Sequence, residues 1–84
     1  MYSIEYTKQA VKALAAMPRD TRTLVVSKIQ ALAANPTGAA NVKKLAGRPG
    51  YRLRVSGWRV IYTLHSGRLV ILVLDVGARG GIYK

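Results

Sequence analysis

The sequence predicts a single α+β domain with the element order βααβββ. Apolar residues recur at helical spacing in the first part of the chain, whereas from Tyr51 onward they alternate with polar residues or form short runs, as in strands. The length of 84 residues supports only one hydrophobic core. We therefore expect residues 1–84 to form one domain, in which an N-terminal strand and a helical hairpin pack on a mainly antiparallel sheet.

The first predicted element is a strand over Tyr2–Tyr6, where aromatic and β-branched residues alternate with polar ones. Thr7 is a suitable N-cap for a helix that runs from Lys8 to about Met17. We expect the inner face of this helix to carry three apolar residues: Val11, Leu14 and Ala15.

Pro18 ends the first helix, and Asp20 can cap a second helix that runs to about Ala34. This helix has a buried stripe with spacings of four and three residues, formed by Val25, Ile29 and Leu32. The break Asn35-Pro36-Thr37-Gly38 follows, and we expect the chain to remain a loop up to Gly50.

Three strands are predicted in the second half of the chain. Tyr51–Val55 alternates strictly, Trp58–His65 follows it, and Arg68–Val76 is apolar enough to be a central strand that is covered on both faces. Residues 77–84 form a short tail. The turns between the strands are expected to have two residues each: Ser56-Gly57 and Ser66-Gly67.

The chain is strongly basic, with 14 Lys and Arg against 3 Asp and Glu and a formal net charge of +11. The positive side chains repel one another, and a bound polyanion such as nucleic acid, or an acidic protein partner, would relieve this repulsion. Many of the cations lie in one stretch, which holds Lys43, Lys44, Arg48, Arg52, Arg54 and Arg59.

The first hairpin places arginines opposite each other. With a two-residue turn Val55 faces Trp58, so Arg54 faces Arg59, and Arg52 points from the same face. Like charges in opposite positions destabilise a sheet. An external anion is the best explanation for such an arrangement without a nearby carboxylate.

The second hairpin, counted in the same way, places Trp58 opposite Asp75. The tail with Arg79 and Tyr83 then leaves the sheet beside the arginines, so that guanidiniums and a phenol could hold one phosphate and stack on a base. The alternative is that these are ordinary solvated strand residues, with Asp75 neutralising one arginine.

Several kinds of chemistry lack the residues they need. One His, two Asp, one Glu and no Cys cannot supply a metal site, a catalytic triad or a pair of catalytic carboxylates, so we expect no metal and no cofactor. His65 lies six residues from Arg59, roughly 20 Å along the strand, and is interpreted as a surface residue of the hairpin.

We expect no contact with membranes. The longest apolar run, Leu69–Leu74, is far shorter than the roughly 20 residues that span a bilayer, and the N-terminal residues do not resemble a signal peptide. The sequence therefore favours a cytoplasmic protein.

Three segments resemble the RelE/ParE toxin superfamily, and most closely the RelE-type messenger-RNA interferases of type II toxin–antitoxin systems. They are Tyr51–Val55, Gly57–Tyr62 with the apolar strand after it, and the tail Gly77–Lys84. The resemblance covers nearly the whole chain, including Leu45–Gly47. It implies a RelE-like fold.

The resemblance also implies an activity. Toxins of the RelE branch enter the ribosomal A site and cut messenger RNA without a metal, through attack of a 2′-hydroxyl on the adjacent phosphate. By position, Arg59 and Arg79 would bind the scissile phosphate, Arg52 and Arg54 would add cationic stabilisation, and Tyr83 would stack on the RNA, orient it or assist proton transfer. The wider RNA-binding set would comprise Lys43, Lys44, Arg48, Arg52 and Arg54.

This chain departs from the pattern of the superfamily at two places. Arg52 and Arg54 stand where active relatives often have lysines, and arginine keeps its proton, so the general acid and base stay unassigned. Ala78 stands where relatives frequently have His or Lys. Both departures are consistent with slow or context-limited cleavage.

The implied partners are a cognate acidic antitoxin and a ribosome with messenger RNA in its A site. The antitoxin usually carries the operator binding of such pairs, so we expect no direct DNA binding by this chain. Two other functions stay open: a ParE-type toxin that inhibits DNA gyrase, and a basic RNA-binding module without catalysis.

Overall fold

A computed structural model describes residues 1–38 and 40–78 of the chain. It contains two helices and five strands: β1 (Ser3–Tyr6), α1 (Lys8–Ala15), α2 (Arg19–Ala31), β2 (Val42–Lys44), β3 (Tyr51–Val55), β4 (Trp58–His65) and β5 (Val70–Ala78). The predicted α+β class is confirmed, with one strand more than the sequence indicated. None of the helices in the described part is long and apolar enough to cross a membrane.

The strands form one five-stranded sheet in the order β1-β5-β4-β3-β2. β1 runs parallel to β5, and the other neighbours are antiparallel. Both helices pack on one face of this sheet, which we call the helix-covered face. We call the opposite face the open face. β5 is an interior strand, as predicted, but the helix layer covers only one of its faces.

The N-cap of α1 is confirmed, because the Thr7 hydroxyl accepts a hydrogen bond from the Ala10 backbone N–H at 3.1 Å. The same hydroxyl donates to the Leu74 carbonyl of β5 at 2.7 Å, which anchors the start of the helix on the sheet. The predicted inner face is wrong for Val11 and Ala15, which are exposed. The buried residues of α1 are Ala10 and Leu14, and Met17 is buried just beyond the end of the helix.

The buried stripe of α2 is confirmed, since Val25, Ile29 and Leu32 are all at most 1% exposed. The predicted cap is wrong: α2 begins at Arg19, Pro18 occupies the N-cap position, and no side chain caps the helix. Asp20 lies in the first turn, where its negative charge interacts favourably with the positive end of the helix dipole.

The segment predicted as a loop before Gly50 contains the short strand β2, which pairs with β3. A strand of three residues is too short to show alternation, so the sequence pattern could not indicate it. Gly50 ends this connection with a φ of +119°, and a Cβ there would lie 2.9 Å from the Tyr62 carbonyl oxygen. A glycine is therefore required at this position.

The register of the first hairpin is confirmed: Val55 pairs with Trp58, and Arg54 with Arg59. The turn residues Ser56 and Gly57 both have positive φ, as a two-residue type I′ turn needs.

The predicted register of the second hairpin is wrong. His65 pairs with Val70, so the turn has four residues, and Leu74 bulges out of the β4–β5 ladder. Trp58 consequently lies opposite Ala78, and Asp75 lies opposite Ile61. β5 also continues through Gly77 to Ala78, which the sequence had placed in the tail.

The core lies between the helices and the helix-covered face. The sheet contributes seven buried residues to it: Leu53, Val55, Val60, Tyr62, Ile71, Val73 and Val76. Because side chains alternate along a strand, the residues next to these buried ones in β3 and β4 point to the open face. Arg52, Arg54 and Arg59 are among these residues.

Candidate nucleic-acid interface

The arginine pair Arg54 and Arg59 lies directly across two strands of the open face. The Arg54 backbone N–H points away from β4 and donates to the Asn41 carbonyl at 3.0 Å. Arg54 and Arg59 are therefore a pair without backbone hydrogen bonds between them in the β3–β4 ladder. In such pairs the Cα atoms are about 4.5 Å apart and the side chains are close. Two positive charges are therefore held side by side by the hairpin backbone.

Arg52 extends the positive surface toward the sheet edge. It pairs with Ile61, two residues beyond Arg59 on β4, so Arg52 and Arg59 are diagonal neighbours at about 7–8 Å. On its other side Arg52 pairs with Lys43 of β2. Lys43, Arg52, Arg54 and Arg59 thus form one continuous surface, which we call the cationic track.

The two half-buried arginines of the track flank an apolar floor. Ile61 is only 2% exposed although it lies on the open face, and Arg52 and Arg59 are its neighbours across and along the strands. Their Nε atoms are buried and have no hydrogen-bond acceptor. Donors without acceptors are costly, and the oxygens of a bound oxyanion are suitable acceptors for a guanidinium.

No carboxylate neutralises the arginines of the track within residues 1–38 and 40–78. Asp75 is the nearest candidate by register, but its oxygens accept hydrogen bonds from the Gln9 side chain at 2.9 Å and the Val76 backbone N–H at 2.8 Å. The alternative in which Asp75 neutralises an arginine therefore has no support in the described structure.

The structure brings some of the other predicted residues to the track and separates others. Lys44 pairs with Tyr51, so its position points away from the open face. Arg48 lies in the connection between β2 and β3. Arg79 and Tyr83 lie outside the described residues. Ala78, the last residue described, pairs with Trp58 beside the arginine pair, so the described chain ends next to Arg54 and Arg59.

A shallow depression of about 200 Å³ adjoins the track at the β2 edge. It is lined by Lys43, Lys44, Leu45, Ala46 and Arg52. The pairing of Lys43 with Arg52 was not visible in the sequence, because the segment that forms β2 was predicted to be a loop.

A second surface feature lies on the helical side of the molecule. A groove of about 400 Å³ separates α1 from α2 and is lined mainly by apolar residues: Tyr6, Val11, Leu14, Ala15, Arg22, Val26 and Gln30. Val11 is 53% exposed. The sequence did not indicate this groove, because the helical spacing of Val11, Leu14 and Ala15 predicts that all three are buried.

The described tyrosines with altered acidity lie away from the track. Burial raises the pKa of Tyr62 to about 12, with a further contribution from Tyr51, and burial also raises the pKa of Tyr6. Tyr62 is on the helix-covered face and its hydroxyl donates to the Pro36 carbonyl. The track itself consists of one lysine and three arginines, residue types that donate hydrogen bonds and carry positive charge. It can bind and stabilise negative charge but cannot exchange protons readily.

The sequence and the fold both match toxins of toxin–antitoxin systems. Residues 4–83 match the family model described as ParE toxin of type II toxin-antitoxin system, parDE. RelE in the RelE–RelB complex of Pyrococcus horikoshii is 30% identical, with a TM-score of 0.83 over 96% of this chain and 98% of that chain.

Two structures from Escherichia coli agree with this match. The intact RelBE toxin–antitoxin complex gives 28% identity and a TM-score of 0.79 over 93% of this chain and 96% of that chain. The isolated RelE toxin gives 25% identity and a TM-score of 0.83 over 98% and 88%. A comparison with curated protein sequences finds no match.

Proposed function

Because this chain belongs to the ParE toxin family of type II toxin–antitoxin systems, within the RelE/ParE superfamily, we propose that it is a ribosome-dependent, metal-independent endoribonuclease. Its action would be to cut messenger RNA and so inhibit translation in the cytoplasm. The observation that carries the proposal is the arginine set Arg52, Arg54 and Arg59, which shares one face and has no carboxylate partner within residues 1–38 and 40–78. The likeness to RelE at 28–30% identity supports it.

The proposed reaction is an internal transfer within the RNA. The 2′-oxygen attacks the adjacent phosphorus and loses its proton to a base, while the bond from phosphorus to the 5′-oxygen breaks and that oxygen takes up a proton. The products are a cyclic 2′,3′-phosphate and a 5′-hydroxyl. Negative charge grows on the phosphoryl oxygens in the transition state, where Arg59 and Arg54, fixed on a tight hairpin, would stabilise it.

The tail would complete the site. Arg79 is joined to Ala78, which pairs with Trp58 at the arginine end of the sheet, so it is proposed to bind the same phosphate. Arg52 and Arg54 carry guanidinium groups, which supply positive charge without exchanging protons. Proton transfer is therefore assigned to Tyr83 or to water.

The partner that holds the toxin inactive is proposed to be an acidic antitoxin with an amphipathic helix. The groove between α1 and α2 offers an apolar floor with Arg22 in its lining, which suits such a helix. A net charge of +11 gives an acidic partner a further electrostatic gain. Affinity for the antitoxin should fall as salt rises, and an affinity that does not change with salt would contradict a charge-driven contact.

The test is to map RNA ends in a translating extract. The natural chain should produce new 5′-hydroxyl ends in translated messages and none in untranslated ones. Arg59→Ala should reduce cleavage by about 100-fold or more, the usual cost of losing one donor to transition-state charge. Lys12→Ala on α1 removes the same charge from an exposed position of the helix layer and should cleave normally.

A second candidate function is supported by the name of the matching family model. A ParE-type toxin would trap DNA gyrase in cleavage complexes while translated messages stay intact, and Arg59→Ala would have little effect on it. Messages that are bound but never cut, without trapped gyrase, would instead indicate an RNA-binding module.

A further inference from the structure

We propose that the open face binds two consecutive phosphates of one RNA strand, so that the RNA crosses the sheet from β4 toward β2. The first phosphate lies over Arg54 and Arg59, and the second lies over Arg52 and Lys43. This inference rests on the proposed function, because it takes the first position as the phosphate that is cut.

The spacing of the track carries the argument. Lys43 pairs with Arg52, and Arg52 with Ile61, so Lys43 and Arg59 lie two strands and two residues apart. With strands about 4.8 Å apart and about 3.4 Å per residue, their Cα atoms are separated by about 12 Å. One phosphodiester has two non-bridging oxygens, and the facing guanidiniums of Arg54 and Arg59 are suited to occupy both of them. Two neighbouring phosphates give each pair of cations its own partner.

The rest of the open face fixes the direction in which the RNA leaves the arginine pair. Beyond Arg59 the next strand contributes Gly77, which has no side chain and so offers no cation to a phosphate. Farther on, Glu5 of β1 pairs with Leu72, and its carboxylate lies 3.9 Å from Arg68. Carboxylates repel a phosphate backbone, so the strand extends toward the cationic edge.

The β2 edge offers a place for the second nucleotide. The depression beside Lys43 and Arg52 has a volume of about 200 Å³. Its far side is the loop that starts at Leu45, whose backbone N–H donates to the Gly50 carbonyl at 3.0 Å and so closes the loop. Ala46, with its small side chain, lines the same depression and leaves space for a ribose.

The experiment measures binding of short RNAs that cannot be cut because the attacking 2′-hydroxyl is replaced by hydrogen. A trinucleotide carries two phosphodiesters, and either one can be made neutral as a methylphosphonate. Affinities of the natural chain, Lys43→Ala and Lys12→Ala for these RNAs are measured by calorimetry over a series of salt concentrations. The Lys12→Ala variant is the control, because it removes the same single positive charge from helix α1, away from the cationic track.

The natural chain should lose affinity when either phosphate is neutralised. Lys43→Ala should bind the fully charged trinucleotide about threefold more weakly, as expected for an exposed ion pair. Neutralising the second phosphate should then cost less affinity than it does in the natural chain, because only Arg52 is left to contact it. The slope of log affinity against log salt should fall by about 0.7. Lys12→Ala should behave as the natural chain.

Two results would overturn the inference: no measurable binding of the trinucleotide by the natural chain at low salt, or equal losses in Lys43→Ala and Lys12→Ala. The proposed function fails separately. Intact messages in the translating extract would disprove cleavage while two-phosphate binding could still be observed, and cleavage that depends on Arg59 could occur with no role for Lys43.

Discussion

The two faces of the sheet differ in the side chains they carry and in what covers them. On the helix-covered face, alternate residues of β3, β4 and β5 pack against both helices, and the buried Tyr62 donates its hydroxyl to the Pro36 carbonyl. On the open face, Arg54 and Arg59 stand opposite each other without a carboxylate partner among the described residues. One face stabilises the fold, and the other retains unfavourable charge that a bound polyanion can relieve.

This difference predicts that stability and RNA cleavage respond to different substitutions. A change on the helix-covered face should lower the free energy of unfolding. A change in the cationic track should reduce cleavage without lowering stability. Active sites commonly carry such a cost in stability.

The largest effect is expected for Ile29→Ala on α2. Ile29 is fully buried, and removal of its side-chain carbons should cost about 2–5 kcal/mol. A domain of 84 residues has roughly 4–13 kcal/mol of stability in total, so the variant should be largely unfolded in mild urea. Urea unfolding followed by circular dichroism measures the change.

The control for this substitution is the neighbouring residue on the same helix. Lys28 is exposed, so Lys28→Ala should change stability by no more than about 0.5 kcal/mol. Equal unfolding midpoints for the two variants would mean that the core does not depend on the helix-covered face.

A smaller effect is expected at alkaline pH. Burial raises the pKa of Tyr62 from 10 in the unfolded chain to about 12 in the folded one, so folding favours the protonated phenol. The stability from this group is fully present below pH 10 and is lost as the pH rises from 10 through about 12. Unfolding midpoints across this range should fall more steeply for the natural chain than for Tyr62→Phe. Identical slopes would argue against a protonated, buried Tyr62.

The smallest effect, and the only stabilising one, is expected for Arg54→Gln. Loss of one of two facing positive charges should raise the free energy of unfolding by about 0.2–1 kcal/mol at low salt, while RNA cleavage falls. The gain should shrink at high salt because the charges are screened. Arg54→Lys keeps the charge and serves as the control for stability. A less stable Arg54→Gln variant at low salt would show that the facing arginines are not in conflict.

Local patterns were sufficient for much of the fold. Ser56-Gly57 is a turn sequence with one preferred geometry, so the register of β3 and β4 and the facing positions of Arg54 and Arg59 followed directly. The stripe of Ile29 in α2 was likewise fixed by helical spacing. These features depend on neighbours in the chain, and such neighbours are visible in the sequence.

Longer-range contacts decided what the sequence could not. The second turn has four residues and β5 bulges at Leu74, whose carbonyl is held by Thr7 from the start of α1. That contact joins residues 67 positions apart, and no local pattern encodes it. The longer turn and the bulge together shift the register by three residues, so that Ala78 and not Asp75 lies opposite Trp58.

The sequence by itself determined that a basic α+β domain carries facing arginines on one hairpin, because charge count, turn chemistry and side-chain alternation are local properties. Only the tertiary structure decided that Lys43 joins those arginines, since β2 exists as a strand only when β3 is there to pair with it. It also decided which residues of α1 are buried, because the rotation of a helix is set by the surface on which it packs.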